Sequence, residues 1–192
     1  VALGTGFDSV LEAARTGAAW AWENLYRDLA GPVGGYLRSR GAPDPEDVLS
    51  ETFLSVAQDI HRFEGDEADF RAWVFTIAHR RMQDAFRKQG RRVPTFDGEA
   101  ALEHAESGWL GNVEEEAMGR LSVDQVESLT AGLSVAQRDV LMLRVIGDLS
   151  VAETARVLDR SEGAVKAMQS RALKTLRQNL SDGASPFGAG QR

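Results

Sequence analysis

Between Gly163 and Gln178 the chain carries four basic side chains, Lys166, Arg171, Lys174 and Arg177, and no acidic one. Gln169 and Ser170 stand among them. Such groups donate hydrogen bonds to phosphate oxygens and to base edges, Arg bidentately to guanine and Gln to adenine. The apolar residues Val165, Met168, Ala172, Leu173 and Leu176 recur at helical spacing, so the polar set is spread over the rest of a helix surface. Ser161 is placed to cap that helix, with Glu162 suited to the positive end of its dipole. The chemistry is recognition of a nucleic acid rather than bond making. The candidate contact set is Ser161, Glu162, Gly163, Lys166, Gln169, Ser170, Arg171 and Lys174. The residues alone also allow a surface helical hairpin whose polar face is merely solvated.

That helix needs a partner to aim it. Ser150 and Glu153 form an S-x-x-E capping box, and Ala155, Val157 and Leu158 make one side of the following helix apolar. Asp159-Arg160 is the turn. A short helix, a tight turn and a basic second helix make a helix-turn-helix, whose second helix fits the major groove. Small residues at Ala155, Gly163 and Ala164, where two helices must approach closely, favour this over a solvated hairpin. Upstream, Ser134 with Gln137 opens a helix bearing Val140, Leu141, Leu143, Val145 and Ile146, and Ser122 with Gln125 forms a third such start.

The N-terminal half is also read as helical. Residues 1–19 are rich in Gly and Ala, with one amphipathic stretch at 7–14, and are expected to be partly ordered at most. Trp20, Leu25, Leu29, Val33, Tyr36 and Leu37 outline a helix expected to break or bend at Gly31-Pro32. Asp44 and Pro45 open a helix over 45–63, with Val48, Leu49, Thr52, Phe53, Val56 and Ile60 on one side. Its other side is acidic, with Glu46, Asp47, Glu51 and Asp59. A polar loop at 62–69 leads to the apolar run 70–78, which continues into Arg80, Arg81, Arg87, Lys88, Arg91 and Arg92. Residues 43–69 carry nine acidic residues against one basic, and residues 71–92 seven basic against one acidic. The acidic helix should seek a basic protein surface and the basic one phosphates. Phe63, Phe70 and Trp73 beside the loop can accept an unstacked base, or can simply be core.

The fold class is therefore all-α: two small helical domains joined by an acidic flexible linker, the C-terminal one holding the helix-turn-helix. The boundaries are an extension at 1–19, a domain at 20–94, the linker at 95–121, a domain at 122–181 and a disordered tail at 182–192. The net charge of -7 is concentrated in the linker region, where residues 97–128 hold nine acidic residues and one basic. The absence of cysteine excludes a disulfide framework and a thiolate metal site, and His61, His79 and His104 match no metal spacing. No metal, cofactor or catalytic group is expected. With no membrane-length apolar run and no leader pattern, a cytoplasmic location and no membrane insertion are expected.

Three stretches resemble one family. Residues 47–54, DVLSETFL, are similar to the EDLVQETFL segment of bacterial sigma factors. Residues 70–78, FRAWVFTIA, with Asp84 and Arg87, resemble their FRTWLFRIARNLALDYLR helix, and residues 133–178 resemble their C-terminal domain. The two-domain layout resembles the extracytoplasmic-function (ECF) group. The resemblance implies a non-enzymatic factor that binds core RNA polymerase, its β and β′ subunits, directs promoter recognition and DNA opening, and has an anti-sigma partner. It implies that Glu46, Asp47, Glu51 and Phe53 meet the polymerase clamp. It assigns the -10 element to Arg62, Phe63, Asp66, Phe70, Arg71, Trp73, Arg80, Arg81, Arg87 and Lys88, and the -35 element to the helix-turn-helix set. The linker would follow the polymerase toward the RNA exit path. Three positions depart from the pattern: Ser50 replaces a usual Gln, Arg80 a common Asn and Asp159 a turn Gly. The main alternative is a free-standing helix-turn-helix regulator that binds an operator alone. An enzyme in the first 92 residues finds no nucleophile–base pair or phosphate loop to support it.

Overall fold

A computed structural model describes residues 6–90 and 130–181. The acidic linker, the capping pair Ser122 and Gln125, Arg91, Arg92 and the tail lie outside the described residues. Seven α-helices occur among those described: α1 (Phe7–Arg15), α2 (Ala19–Ser39), α3 (Pro45–Asp59), α4 (Glu67–Lys88), α5 (Val135–Val145), α6 (Val151–Leu158) and α7 (Glu162–Ser181). A 3-10 turn, Ile60–Arg62, follows α3.

Side-chain caps start most of these helices where a short polar residue precedes an apolar period. Asp44 accepts the Asp47 N–H at 3.2 Å ahead of Pro45, and Asp66 accepts the Asp69 N–H at 2.9 Å. Ser134 with Gln137 and Ser150 with Glu153 form reciprocal boxes. Ser161 accepts the Ala164 N–H at 3.2 Å. Asp159 takes the left-handed turn at φ +53°, which a short polar side chain tolerates.

Several expectations need correction. Residues 7–15 are a full helix whose Phe7, Val10, Leu11 and Ala14 are buried; sparse apolar residues suffice because all four fall on one side. α2 runs unbroken through Pro32, because Leu29, Val33, Tyr36 and Leu37 bury a continuous stripe that outweighs one lost backbone bond. α3 ends at Asp59, the 3-10 turn takes Ile60–Arg62 and α4 starts at Glu67, so the loop is 63–66 rather than 62–69. A Cβ on Gly163 would meet only the Ser161 hydroxyl at 4.0 Å, so no close helix approach requires that glycine.

The main core gathers α1, α2, α3 and α4 around Leu25, Tyr36, Leu37, Val56, Phe70, Val74, Phe75 and Met82. It does not stop at the N-terminal helices: Leu143, Leu149 and Val157 belong to it. α6 lies against α4, and α5 touches α2. Two smaller clusters, Val140–Ala155–Val165–Met168 and Leu133–Leu141–Ala172, hold α5, α6 and α7 together. Val145, expected on the apolar side of α5, is instead 75% exposed.

Candidate nucleic-acid interface

The turn between α3 and α4 opens onto a cleft of about 420 Å³ lined by Arg62, Phe63, Glu64, Asp69, Ala72, Trp73, Thr76 and Arg156. That volume suits a small planar group. Phe63 and Trp73 form its aromatic wall, with ring centroids 5.2 Å apart and planes at 30°. Glu64 and Asp69 supply acceptors, and Arg62 and Arg156 supply charge. Gly65 makes the turn possible: its φ is +145°, and a Cβ there would lie 2.8 Å from that of Asp69 and 3.2 Å from the Phe63 ring. From below, the Arg15 guanidinium donates to the Phe63 carbonyl, and Phe7 packs at a tilt against Phe70, ring centroids 5.6 Å apart. The N-terminal helix thus braces the floor of the cleft.

The aromatic trio therefore divides. Trp73 and Phe63 line the cleft, while Phe70 is 2% exposed and packs behind them, out of reach of a base. Arg71 is a second correction: it reaches Asp28 of α2 in a half-buried ion pair at 2.8 Å. Asp66 serves as the α4 cap. Arg80 is exposed, Arg87 is exposed and pairs with Asp84 at 2.5 Å, and Lys88 stands 3.9 Å from Glu51. Arg81 donates to the Ser55 hydroxyl at 2.7 Å. The basic surface of α4 consequently rests on Arg80, Arg87 and Lys88, with Arg62 at the other end.

On α3, Val48, Thr52 and Val56 are buried, and Asp47 and Glu46 face solvent. Glu46 pairs with Arg38 at 2.8 Å. Phe53 is half-buried and packs at a tilt against Tyr26, ring centroids 4.7 Å apart, while its neighbour Leu54 is 64% exposed. On α7, Val165, Met168 and Ala172 turn inward. Ser161, Glu162, Gly163, Lys166, Ser170, Arg171 and Lys174 are exposed on its outer side, with Gln169 at its margin. Lys166 pairs loosely with Glu162 at 3.6 Å.

A polar cluster that the sequence did not mark joins the two halves. The Arg40 guanidinium of α2 meets the Asp139 carboxylate of α5, with the two side chains 6% and 4% exposed. The Tyr36 hydroxyl donates to Asp139 at 3.0 Å and contacts His79 Nδ1 at 2.7 Å. Gln83 closes the chain on His79 Nε2 at 2.8 Å. If Tyr36 gives its proton to Asp139, His79 Nδ1–H donates to Tyr36 and Nε2 accepts from Gln83, which assigns a neutral imidazole. Burial lowers the His79 pKa and the Arg40 and Arg80 charges add to that, against the pull of Asp139. Burial, then the Asp139 charge, holds the Tyr36 hydroxyl well above its ordinary range. For Arg40, burial pulls the pKa down but Asp139 and Tyr36 together raise it, so the guanidinium stays charged.

The arrangement has recognisable relatives. Residues 22–92 match Sigma-70 region 2 and residues 123–176 match Sigma-70, region 4. The chain is 33% identical over 139 residues to the ECF RNA polymerase sigma factor SigX of Bacillus subtilis, covering 70% of each protein. The chain is an ECF RNA polymerase sigma factor. It is also 35% identical over 178 residues to the ECF sigma factor BldN of Streptomyces coelicolor, covering 91% of this chain and 66% of BldN. Among solved structures, CnrH in complex with the cytosolic domain of CnrY superposes at a TM-score of 0.62 with 26% identity, over 91% of this chain and 96% of that one. The sigma factor's N-terminal helix α1 precedes the region 2 match, so its buttress of the cleft lies outside that part of the family pattern. Among the described residues, no helix is long and apolar enough to cross a membrane.

Proposed function

We propose that this sigma factor docks on a basic surface of core RNA polymerase through α3, holds an unstacked -10 base in the Phe63–Trp73 cleft, and reads the -35 element with α7. The division into residues 20–94 for polymerase and the -10 element and 122–181 for the -35 element follows from this. The linker at 95–121 runs between them along the polymerase, which holds the β and β′ subunits. The protein performs no bond chemistry of its own and works in the cytoplasm. CnrH is held by the cytosolic domain of CnrY, and an anti-sigma partner for this chain belongs to the same proposal.

The observation that supports the reading is charge segregated by sign between two neighbouring helices. α3 and α4 pack side by side with opposite signs, yet among the described residues one ion pair, Lys88 with Glu51 at 3.9 Å, joins them. Charges placed to join these two helices would pair across the contact; their other ion pairs, Glu46 with Arg38, Asp59 with Arg62, Arg71 with Asp28 and Arg87 with Asp84, lie elsewhere. An acidic face fits a basic protein surface, and a basic helix beside an aromatic cleft fits melted DNA. A free-standing regulator has no use for the exposed α3 carboxylates.

Core polymerase binding tests this directly. The double reversal Asp47→Lys, Glu51→Lys should weaken capture of core enzyme sharply, most of all at low salt, where exposed charges act over a longer range. A folded double variant that binds core polymerase at wild-type affinity would sink the α3 assignment.

A further inference from the structure

We propose that α1 is a working part of the -10 reader. Arg15 is a positioning residue that fixes the aromatic wall of the cleft, so capture of the unstacked base depends on a helix that does not line the cleft. The inference deepens the -10 reading above and rests on it.

Two links run from α1 toward the cleft, and both end on Phe63. The first is polar. The half-buried Arg15 guanidinium donates to the Phe63 carbonyl, 48 residues away in sequence, while its other terminal nitrogen faces Glu12 at 3.3 Å. A bond from a charged donor is roughly twice as strong as a neutral one. The second link is apolar. The rings of Phe7, Phe70 and Phe63 follow one another with centroids 5.6 and 5.1 Å apart, and Trp73 stands 5.2 Å beyond Phe63. Phe7 and Phe70 are both buried, so a shift of α1 passes through packed rings to the wall. α1 itself is firmly seated: Phe7, Val10, Leu11 and Ala14 face the core, and the Trp22 indole donates to the Ala14 carbonyl at 3.1 Å.

The loop 63–66 needs an anchor at its first residue. At its far end Asp66 is fixed as the α4 cap, and Gly65 is pressed against Asp69 and the Phe63 ring. Phe63 leaves the 3-10 turn with φ -71° and ψ 132°, its N–H bonded to the Ile60 carbonyl at 3.2 Å. That extended ψ means the Phe63 carbonyl does not continue the turn, and Arg15 takes it instead. A base gains most from stacking on a ring whose plane is already set, because ordering a side chain at the moment of binding subtracts from what the contact yields. Four buried apolar residues already hold α1 in place. The Arg15 bond therefore sets the geometry of the loop rather than the stability of the helix.

The test uses full-length protein with core polymerase on a premelted promoter obtained by run-off transcription. Each nontemplate-strand nucleotide of the -10 element is replaced in turn by an abasic one. Wild-type protein should lose about tenfold in affinity at the position whose base the cleft holds. Arg15→Met keeps the aliphatic stem and removes the donors. It should bind the intact template about tenfold more weakly than wild type, yet lose nothing further on that one abasic template, and it should capture core polymerase as wild type does. Arg15→Lys should recover most of the loss, because the carbonyl takes a single N–H. Four results would each overturn the inference alone: unchanged affinity of Arg15→Met for the intact template, an equal abasic penalty in both proteins, a parallel loss of core capture, or no recovery in Arg15→Lys. A wild-type protein indifferent to every abasic position would instead sink the cleft reading, and this inference with it.

Discussion

The seam between α2 and α5, where Arg40 meets Asp139, and the helix α7 use charge in opposite ways. At the seam, Arg40 and Asp139 are buried, paired and further bonded through Tyr36. On α7, Arg171 and Lys174 are exposed, and the nearby Lys166 has only a partner on its own helix. A buried charge that loses its partner keeps its desolvation cost, so the seam pair is strongly coupled to the folded state. An exposed charge interacts weakly with its own protein and remains available to another. The contrast separates residues that hold the two halves together from residues proposed to meet DNA, and it can be broken or sharpened by substitution.

The largest effect on stability should come from leaving one seam charge alone. Asp139→Ala should lower the urea-derived unfolding free energy by about 3–5 kcal/mol, because Arg40 would stay buried without its carboxylate. Removing both charges with Arg40→Met, Asp139→Leu should cost far less, since an apolar pair needs no compensation. Equal losses in the single and double variants would show that packing, not the ion pair, holds this contact.

A smaller effect is expected at the edge of the same cluster. His79 has its pKa lowered from the ordinary 6.5, first by burial and then by Arg40 and Arg80, with Asp139 opposing. The folded chain thus binds fewer protons here than the unfolded one just below pH 6.5. The stability tied to neutral His79 is present above about pH 6.5 and is lost as pH falls below it. Thermal midpoints should decline from pH 7 toward pH 5.5, and His79→Gln should flatten that part of the profile. Asp69 acts in a separate window. Its depressed pKa, due first to the Arg156 hydrogen bond, stabilises the fold above about pH 4, and that contribution is lost in more acidic solution.

The two regions also differ in how far the sequence disclosed them. α7 was legible because its information is local: the Ser161 cap, the inward Val165, Met168 and Ala172, and the run of bases on the outer side all lie within one helix. The boxes at Ser134 and Ser150 and the left-handed Asp159 were legible for the same reason. The seam was not, because Arg40 and Asp139 are 99 residues apart and neither stands out on its own helix. Arg71 misled because it sits in a basic segment, yet helical phase turns it toward Asp28 and the other cations of α4 elsewhere. Arg15 and Arg156 escaped notice for a related reason. Each reaches the cleft from a distant element, Arg15 from an N-terminal stretch whose Gly and Ala content suggested little structure.

The smallest effect on the fold should come from α7, and there the comparison is sharpest. Arg171→Ala and Lys174→Ala remove exposed side chains from a helix whose inner face is untouched, so each should change unfolding free energy by less than about 0.5 kcal/mol. Their effect on DNA should be larger. A side chain that reads a base edge should cost about 1–3 kcal/mol and relax preference at one -35 position. One that meets a phosphate should weaken every sequence alike and reduce the slope of log affinity against log salt by about 1. Open-complex formation on a panel of -35 variants, repeated at several salt concentrations, distinguishes the two. If both substitutions leave open-complex formation unchanged at every salt concentration, the outer side of α7 is not the -35 reader. If instead they destabilise the fold as much as Asp139→Ala does, the division between holding charges and reading charges is wrong, because exposure would then no longer predict which charges the native state depends on.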